Sequence, residues 1–443
     1  MKKRLISSLM VGALSLSVLA GCTGKAGSSN SDLVTELKNP TTIEIWHYMN
    51  GKQAETLQSI VDDFNATNDK QITVNAVSQG SITDLNKKVI TAAQSNSLPA
   101  IVNVYPDVAT GLIEQKKVVD LANFINNEEV GMKEDFENDF VNSFIEEVSQ
   151  WEKGKIYGLP MTKSTEVVYV NKNLLEEIGY KVEDLNNLTM TKLVEISKAA
   201  KEKLNIPGFG FDSASNAFIS TLKMDGKDFI ELNGTINLDN EWVREYMEFY
   251  KKNTEEGNFR IAGEDKYLSD AFSNQKLLMY QGSTAGAAHI KTNDAFEVAV
   301  IEAPVFEGKD KAVIQQGASL FATTDVSAEE QYAAYEFLKF LTSTENTAKF
   351  AVSTGYLPVR KSAVETTTVK DALADENGMY GKVYTQAQKA LEYSYYTPAV
   401  NNAQSARDVI QEKYEAYVTG TISDIETFIK DSLSQVETSI QRQ

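Results

Sequence analysis

The stretch Thr41-Thr42-Ile43-Glu44-Ile45-Trp46-His47 opens a run that closes at Pro99-Ala100-Ile101-Val102-Asn103-Val104, and the patterns between them decide the fold. Ile43-Glu44-Ile45-Trp46 reads as a short apolar strand. Residues 52–67 follow with Leu57, Ile60, Val61 and Phe64 at helical spacing. Residues 72–77 alternate as a strand, and residues 84–94 place Leu85, Val89 and Ile90 on one helical face. Pro99 then precedes an apolar strand over 100–104. A β-α-β-α-β order implies a mostly parallel sheet covered by helices. Ligands of such sheets lie beyond the carboxyl ends of the strands, so the segments after Trp46, Val77 and Val104 point toward any site.

The same alternation resumes after Tyr157. Residues 167–170 form a β-branched strand, 190–204 an amphipathic helix, and 277–280 and 298–301 further strands. Ser327-Ala328-Glu329-Glu330 is a capping box opening a helix with Ala334, Phe337, Leu338 and Leu341 inside. Two helices close the chain, one over 406–418. The other, over 421–440, carries the stripe Ile422, Ile425, Ile429, Leu433, Val436 and Ile440. At 443 residues a single core usually splits, so two lobes are expected.

Composition removes several functions. The net charge of −19 repels phosphate backbones and anionic headgroups, which argues against nucleic acid as a partner. One cysteine makes no internal disulfide, and two histidines do not supply an ordinary zinc site, so no metal or other cofactor is expected. The N-terminus carries an address. Lys2, Lys3 and Arg4 precede an apolar run over 5–20 that is short and serine-interrupted, the pattern of a secretory segment. It ends in Leu19-Ala20-Gly21-Cys22, which resembles the lipobox of bacterial lipoproteins, where the cysteine sulfur receives a diacylglyceryl group. Residues 1–21 then form the signal peptide. Residues 22–40, rich in Gly, Ser and Lys, read as a flexible tether at the extracytoplasmic face of the cell membrane.

Catalytic signatures are absent. There is no phosphate loop, Gly208-Phe209-Gly210 lacks its third glycine at Ser213, and Gly317-Ala318-Ser319 runs into Leu320-Phe321 rather than a nucleophile elbow. His47 and His289 lie in no constellation, and a packed or surface role is the plainer reading of each.

A set of dispersed motifs carries a resemblance. They are Ile43-Glu44-Ile45-Trp46-His47, Asp62-Asp63-Phe64-Asn65, Leu98-Pro99-Ala100-Ile101, and Tyr157-Gly158-Leu159-Pro160 continuing through Lys163-Ser164-Thr165 to Tyr169-Val170-Asn171-Lys172. Met279-Tyr280-Gln281-Gly282-Ser283, Gly317-Ala318-Ser319-Leu320 and Gly355-Tyr356-Leu357-Pro358 follow. In this order they resemble family 1 of the extracellular solute-binding proteins of ATP-driven (ABC) importers, over nearly all of residues 41–440.

The resemblance implies an α/β, two-lobed periplasmic-binding-protein-like fold of type II. Each lobe would be a mostly parallel sheet flanked by helices, with a hinge between them. Residues 41–163 and 318–358 would form one lobe, and 164–317 and 359–443 the other. It also implies a non-enzymatic monomer that closes on a small-molecule solute and presents it to membrane permease subunits.

Within the family the chain is most similar to the glycerol-3-phosphate-binding type, whose contact positions match at Ser164, Ser283, Gly317, Tyr356 and Arg407. The serines offer hydroxyls, Gly317 lets a backbone N–H approach ligand oxygens, and Tyr356 provides a phenol and a wall. Arg407 gives an always-charged fork near a helix start, where the backbone also favours anions. Other positions depart from that type. Ile82 stands for a tyrosine, Pro106 beside Asp107 stands for a glutamate, and Phe209, Phe211 and Asp212 lie where a tryptophan-bearing loop is expected. A carbohydrate is therefore the other candidate solute. Trp46 and Tyr105 are stacking candidates, with Tyr393, Tyr395, Tyr396, Asn401 and Asn402 alongside. Two readings of other classes stay open, a glycan-acting surface lipoprotein enzyme and a surface interaction protein that kept the fold but lost its solute.

Overall fold

The computed structural model describes residues 33–292, 295–375 and 378–441, so the signal peptide, Cys22 and the first part of the tether lie outside the described residues. Twelve strands occur among the described residues. They are β1 (Thr41–His47), β2 (Ile72–Ser78), β3 (Ile101–Val104), β4 (Leu159–Pro160), β5 (Glu166–Asn171) and β6 (Phe209–Phe211), then β7 (Phe259–Ile261), β8 (Met279–Ser283), β9 (Val298–Ile301), β10 (Val313–Ile314), β11 (Ser319–Ala322) and β12 (Ser394–Tyr395). They form two five-stranded sheets, β2-β1-β3-β11-β4 and β7-β6-β8-β5-β9, and a small β10-β12 ribbon.

The opening stretch folds as its pattern demands. β1 turns Ile43 and Ile45 into the core and leaves Glu44 exposed, and it pairs in parallel with β2 from Thr41↔Ile72 to His47↔Ser78. Every residue of β3 is buried, as a central strand requires. Helix Gly51–Thr67 buries Leu57, Ile60, Val61 and Phe64. Helix Ile82–Gln94 begins two residues earlier than its apolar period suggests, because Ser81 and Asp84 form a capping box. Ser81 Oγ accepts from the Asp84 N–H at 3.2 Å, and Asp84 Oδ2 accepts from the Ser81 N–H at 3.2 Å. Ile90, expected on the inner face, is 49 % exposed, and Ala92 and Ala93 are buried instead.

The sheets are mixed, which corrects the mostly parallel expectation. β1, β2 and β3 are parallel, but β11 runs antiparallel to β3 and β4. In the second sheet β6 pairs in parallel with β7 and β8, while β5 is antiparallel to β8 and β9. The cause is connectivity. β11 reaches the first sheet from the second one rather than through a right-handed crossover helix, so nothing forces it parallel.

Two large cores lie one on each sheet. The first gathers Ile43, Ile45, Leu57, Phe64, Leu320 and Phe337, and the second Val168, Phe209, Phe218, Tyr246, Ile410 and Phe428. Val34 and Leu37 already pack on the first core, so the tether expected over 22–40 is docked at its far end. Val359 and Ala387, expected in the second lobe, also belong to the first core, whereas Val383 of helix Met379–Ala390 packs beside β5 and β9 residues. That helix is shared.

The chain passes between the sheets from β4 to β5 and again before β11. There Ser164 and Gln316 exchange backbone hydrogen bonds of 2.9 Å in both directions, and the Leu357 N–H donates to Lys163 O at 2.7 Å. Lys163 is fully buried in this knot. Its Nζ donates to Glu147 and, at 3.2 Å, to Gly317 O.

Candidate functional site

Between the two sheets lies a cavity of about 590 Å³. Strand ends line it: Tyr105 and Asp107 after β3, Asp212 to Asn216 after β6, Ala262 after β7 and Ser283 at the end of β8. Helix Ala403–Val418 of the second core supplies Gln404, Arg407 and Gln411. The walls already touch, since the Gln404 N–H donates to Asp107 Oδ2 at 3.2 Å. This bond corrects one expectation. The anion-favouring backbone at the start of that helix is taken by the chain's own Asp107, and Arg407 sits a turn further in.

Arg407 is half-buried. Its Nη2 donates to Asn216 Oδ1, while its Nε is buried without a partner. Around it the cavity is acidic, with Asp107, Glu166, Asp212, Asp408 and Glu415 against Arg407 and Lys266. Burial raises the carboxyls of Asp107 and Glu166 above their ordinary values, and it pushes Asp212 up to about 6, with Glu166 adding repulsion. The site therefore combines one guanidinium edge with many acceptors for hydroxyl groups.

The expected site residues divide. Ser283, Tyr105 and Arg407 line the cavity together. Ser283 Oγ also accepts from the Ala285 N–H at 3.2 Å, which fixes its rotamer. Gly317 lines a small adjoining pocket of about 40 Å³ with Tyr105, Glu147 and Arg407. Its φ is +127°, and a Cβ there would lie 1.6 Å from Thr162 O, so glycine is required by the strand crossing itself. Ser164 is buried in the same crossing and is not among the cavity residues.

Tyr356 is 9 % exposed, lies near Tyr48 and Gln53, and has its hydroxyl pushed up to about 12 by burial. It lines a separate pocket of about 130 Å³ with Thr284 and Tyr380. Trp46 packs on the cluster of Leu85, Val89 and Val104, and its indole donates to Glu44 at 3.2 Å, away from the cavity.

Among the other candidates, Tyr393 donates to Glu302 at 2.9 Å and Tyr395 to Ser220 at 3.3 Å, and neither lines the cavity. Phe209 and Phe211 are core residues in edge-to-face contact at 4.9 Å, whereas Ile82 and Asp212 do line the cleft. Asn401 and Asn402 line a groove of about 380 Å³ that reaches Asp107 from the other side. Sequence reasoning missed Glu166, Asn216, Gln316 and Gln404. The polar run Asp212-Ser213-Ala214-Ser215-Asn216 at the carboxyl end of β6 was a usable signal.

His47 is a structural residue. It is 3 % exposed, its Nδ1 accepts from the Met49 N–H at 3.1 Å, and burial lowers its pKa from 6.5 to about 4. Below pH 6.5 the unfolded chain takes a proton that the folded chain refuses until about pH 4. Stability held above pH 6.5 is thus lost as the pH falls through that window, by at most about 3 kcal/mol. Asp212 opposes this, because the folded chain keeps its proton up to about pH 6 while an ordinary carboxyl releases it near 3.8. Urea unfolding of His47→Asn across pH 4–7 is expected to show a shallower acid loss than the unaltered chain. Superimposable curves would exclude His47 as the cause.

Comparison with known proteins bears on what such a cleft is for. Residues 59–376 match the family model described as "Bacterial extracellular solute-binding protein". The chain belongs to that family. This solute-binding protein is 24 % identical over 403 residues to the sn-glycerol-3-phosphate-binding periplasmic protein UgpB of Rhizobium meliloti (strain 1021), covering 86 % of this chain and 89 % of that one. It is 26 % identical over 356 residues to UgpB of Escherichia coli (strain K12), covering 77 % and 78 %.

Among solved structures, UgpB from Mycobacterium tuberculosis in complex with glycerophosphocholine aligns with TM-score 0.75 at 19 % identity, covering 90 % of this chain and 98 % of that one. The cyclic alpha-maltosyl-1,6-maltose binding protein from Arthrobacter globiformis aligns with TM-score 0.74 at 17 % identity, covering 91 % and 98 %. The solute-binding protein is thus a two-lobed α/β molecule of an ABC importer rather than an enzyme. It takes a small polar solute by hinge closure.

Proposed function

We propose that the cleft captures a glycerol-phosphate-type solute and delivers it to permease subunits in the membrane. The buried Nε of Arg407, which has no partner within the protein, carries this reading. A phosphate oxygen there would gain a charge-assisted hydrogen bond, Ser283 offers a hydroxyl in the same cavity, and the carboxylates accept from glycerol hydroxyls. The match to the UgpB proteins supports the same solute class. A neutral carbohydrate is the second reading, favoured by the excess of carboxylates over cations around the cavity.

Calorimetric titration with glycerol-3-phosphate, glycerophosphocholine and a panel of mono- and oligosaccharides separates the two. Phosphate-bearing probes are expected to bind, and binding of uncharged sugars alone would reject the first reading. A bound solute at 100 times its Kd should also stabilise the fold by about 2.7 kcal/mol, visible as a raised Tm.

We assign residues 41–163 and 318–358 to one lobe and 164–317 with the closing helices to the other, the protein acting as a monomer anchored through lipid on Cys22. Labelling with palmitate in cells should be lost in Cys22→Ala. Retained label on that variant would reject the anchor.

A further inference from the structure

Arg407 is held by a relay of side-chain amides. Asn216, 3 % exposed at the start of helix Ala214–Lys223, accepts from Arg407 Nη2 through its Oδ1. Its Nδ2 donates to Glu166 Oε1 at 2.5 Å and to Gln316 Oε1 at 2.8 Å. Glu166 is 4 % exposed and its other oxygen accepts from Gln281 Nε2 at 2.8 Å. Every polar atom of the Asn216 amide is thus used, and both Glu166 oxygens accept, the pattern of an ionised carboxylate. Glu166 faces Arg407 only through the amide between them. Gln316 joins the relay to the crossing strand, where its backbone pairs with Ser164.

We propose that Asn216 is a positioning residue that turns the Arg407 guanidinium so that its Nε edge meets the bound solute, with Glu166 as the buried counter-charge that limits how strongly the site attracts anions. The inference deepens the glycerol-phosphate reading and rests on it for the choice of probe. The physical ground is that a long, rotamer-rich side chain binds a ligand well only when its direction is fixed beforehand. One Nη2 bond to a fully committed amide fixes it here, while the buried Nε is left without a partner. The counter-charge explains how an always-charged group stays half-buried in the wall of the cleft.

The test compares Asn216→Ala and Glu166→Gln with the unaltered full chain. Crystals of Asn216→Ala without solute are expected to show the guanidinium turned from its present direction. An Arg407 that keeps its place there would overturn the proposal, whatever the cleft binds. Asn216→Ser, too short to reach Arg407, serves for the same comparison should the alanine variant fail to fold. Calorimetry with glycerophosphocholine and maltose adds a readout of charge. Glu166→Gln keeps the shape, with Gln281 turning its amide to match, so affinity for the phosphate probe should rise about five-fold relative to that for maltose. Equal changes for both probes would mark a mere packing role and sink the idea. If no phosphate probe binds the unaltered chain, the glycerol-phosphate reading falls, while the crystallographic comparison still decides the relay.

Discussion

A Gly317→Ala chain is expected to lose about 3–5 kcal/mol of folding stability, large for one methyl group. Two costs add. The backbone at Gly317 has φ +127°, a conformation that side-chain-bearing residues rarely adopt. The new Cβ would also lie 1.6 Å from Thr162 O and 3.2 Å from Lys163 Cα, both backbone atoms that cannot swing away. Relief requires the segments 162–164 and 316–318 to separate, which breaks the paired hydrogen bonds of Ser164 and Gln316 and strips Lys163 Nζ of its Gly317 acceptor. Urea unfolding measures the loss. A midpoint within error of the unaltered chain would mean that the crossing relaxes freely and that glycine there is incidental.

Arg407→Ala is expected to weaken solute binding by roughly 2–5 kcal/mol, a factor of about 30 or more. The cavity holds one other cation, Lys266, among five carboxylates, so little positive charge remains once the guanidinium is removed. The loss should fall on phosphate-bearing solutes and spare uncharged ones. The fold should persist, because Arg407 is half-buried and packs no core, although Asn216 Oδ1 is left without its donor. Calorimetry on the variant with glycerol-3-phosphate and glycerophosphocholine is the measurement. Unchanged affinity with an intact circular dichroism spectrum would remove Arg407 from the site.

The elements were far easier to read in the sequence than their arrangement. Helix Met190–Leu204, strand β9 and the Ser327–Glu330 capping box appear where their patterns place them, because apolar period and cap chemistry are local. Strand direction is not local. The pattern of Ser319–Ala322 says strand but does not say that the chain arrives from another sheet, hence the mixed rather than parallel order. At the site, Ser283 and Arg407 were indicated by the resemblance to the glycerol-3-phosphate-binding type and Tyr105 by its place after a strand end, and all three line one cavity. Asn216 and Gln316 stayed hidden because a neutral amide in a sequence rich in amides acquires meaning only from what it faces. Trp46 shows the reverse error. An aromatic at a strand end invites a stacking role, but the period of β1 sends its ring to the face packed on Leu85 and Val89 of helix Ile82–Gln94.

The discontinuous first sheet has a consequence for the chain as it is made. β3 is complete at Val104, but its antiparallel neighbour β11 ends at Ala322. At ordinary synthesis rates the interval is roughly 10–40 s, during which β3 shows a bare row of amides and carbonyls on a largely apolar strand. The nascent polypeptide therefore carries a sticky edge for longer than most domains take to fold, and safe delivery depends on a holding factor or on export before the sheet begins to form.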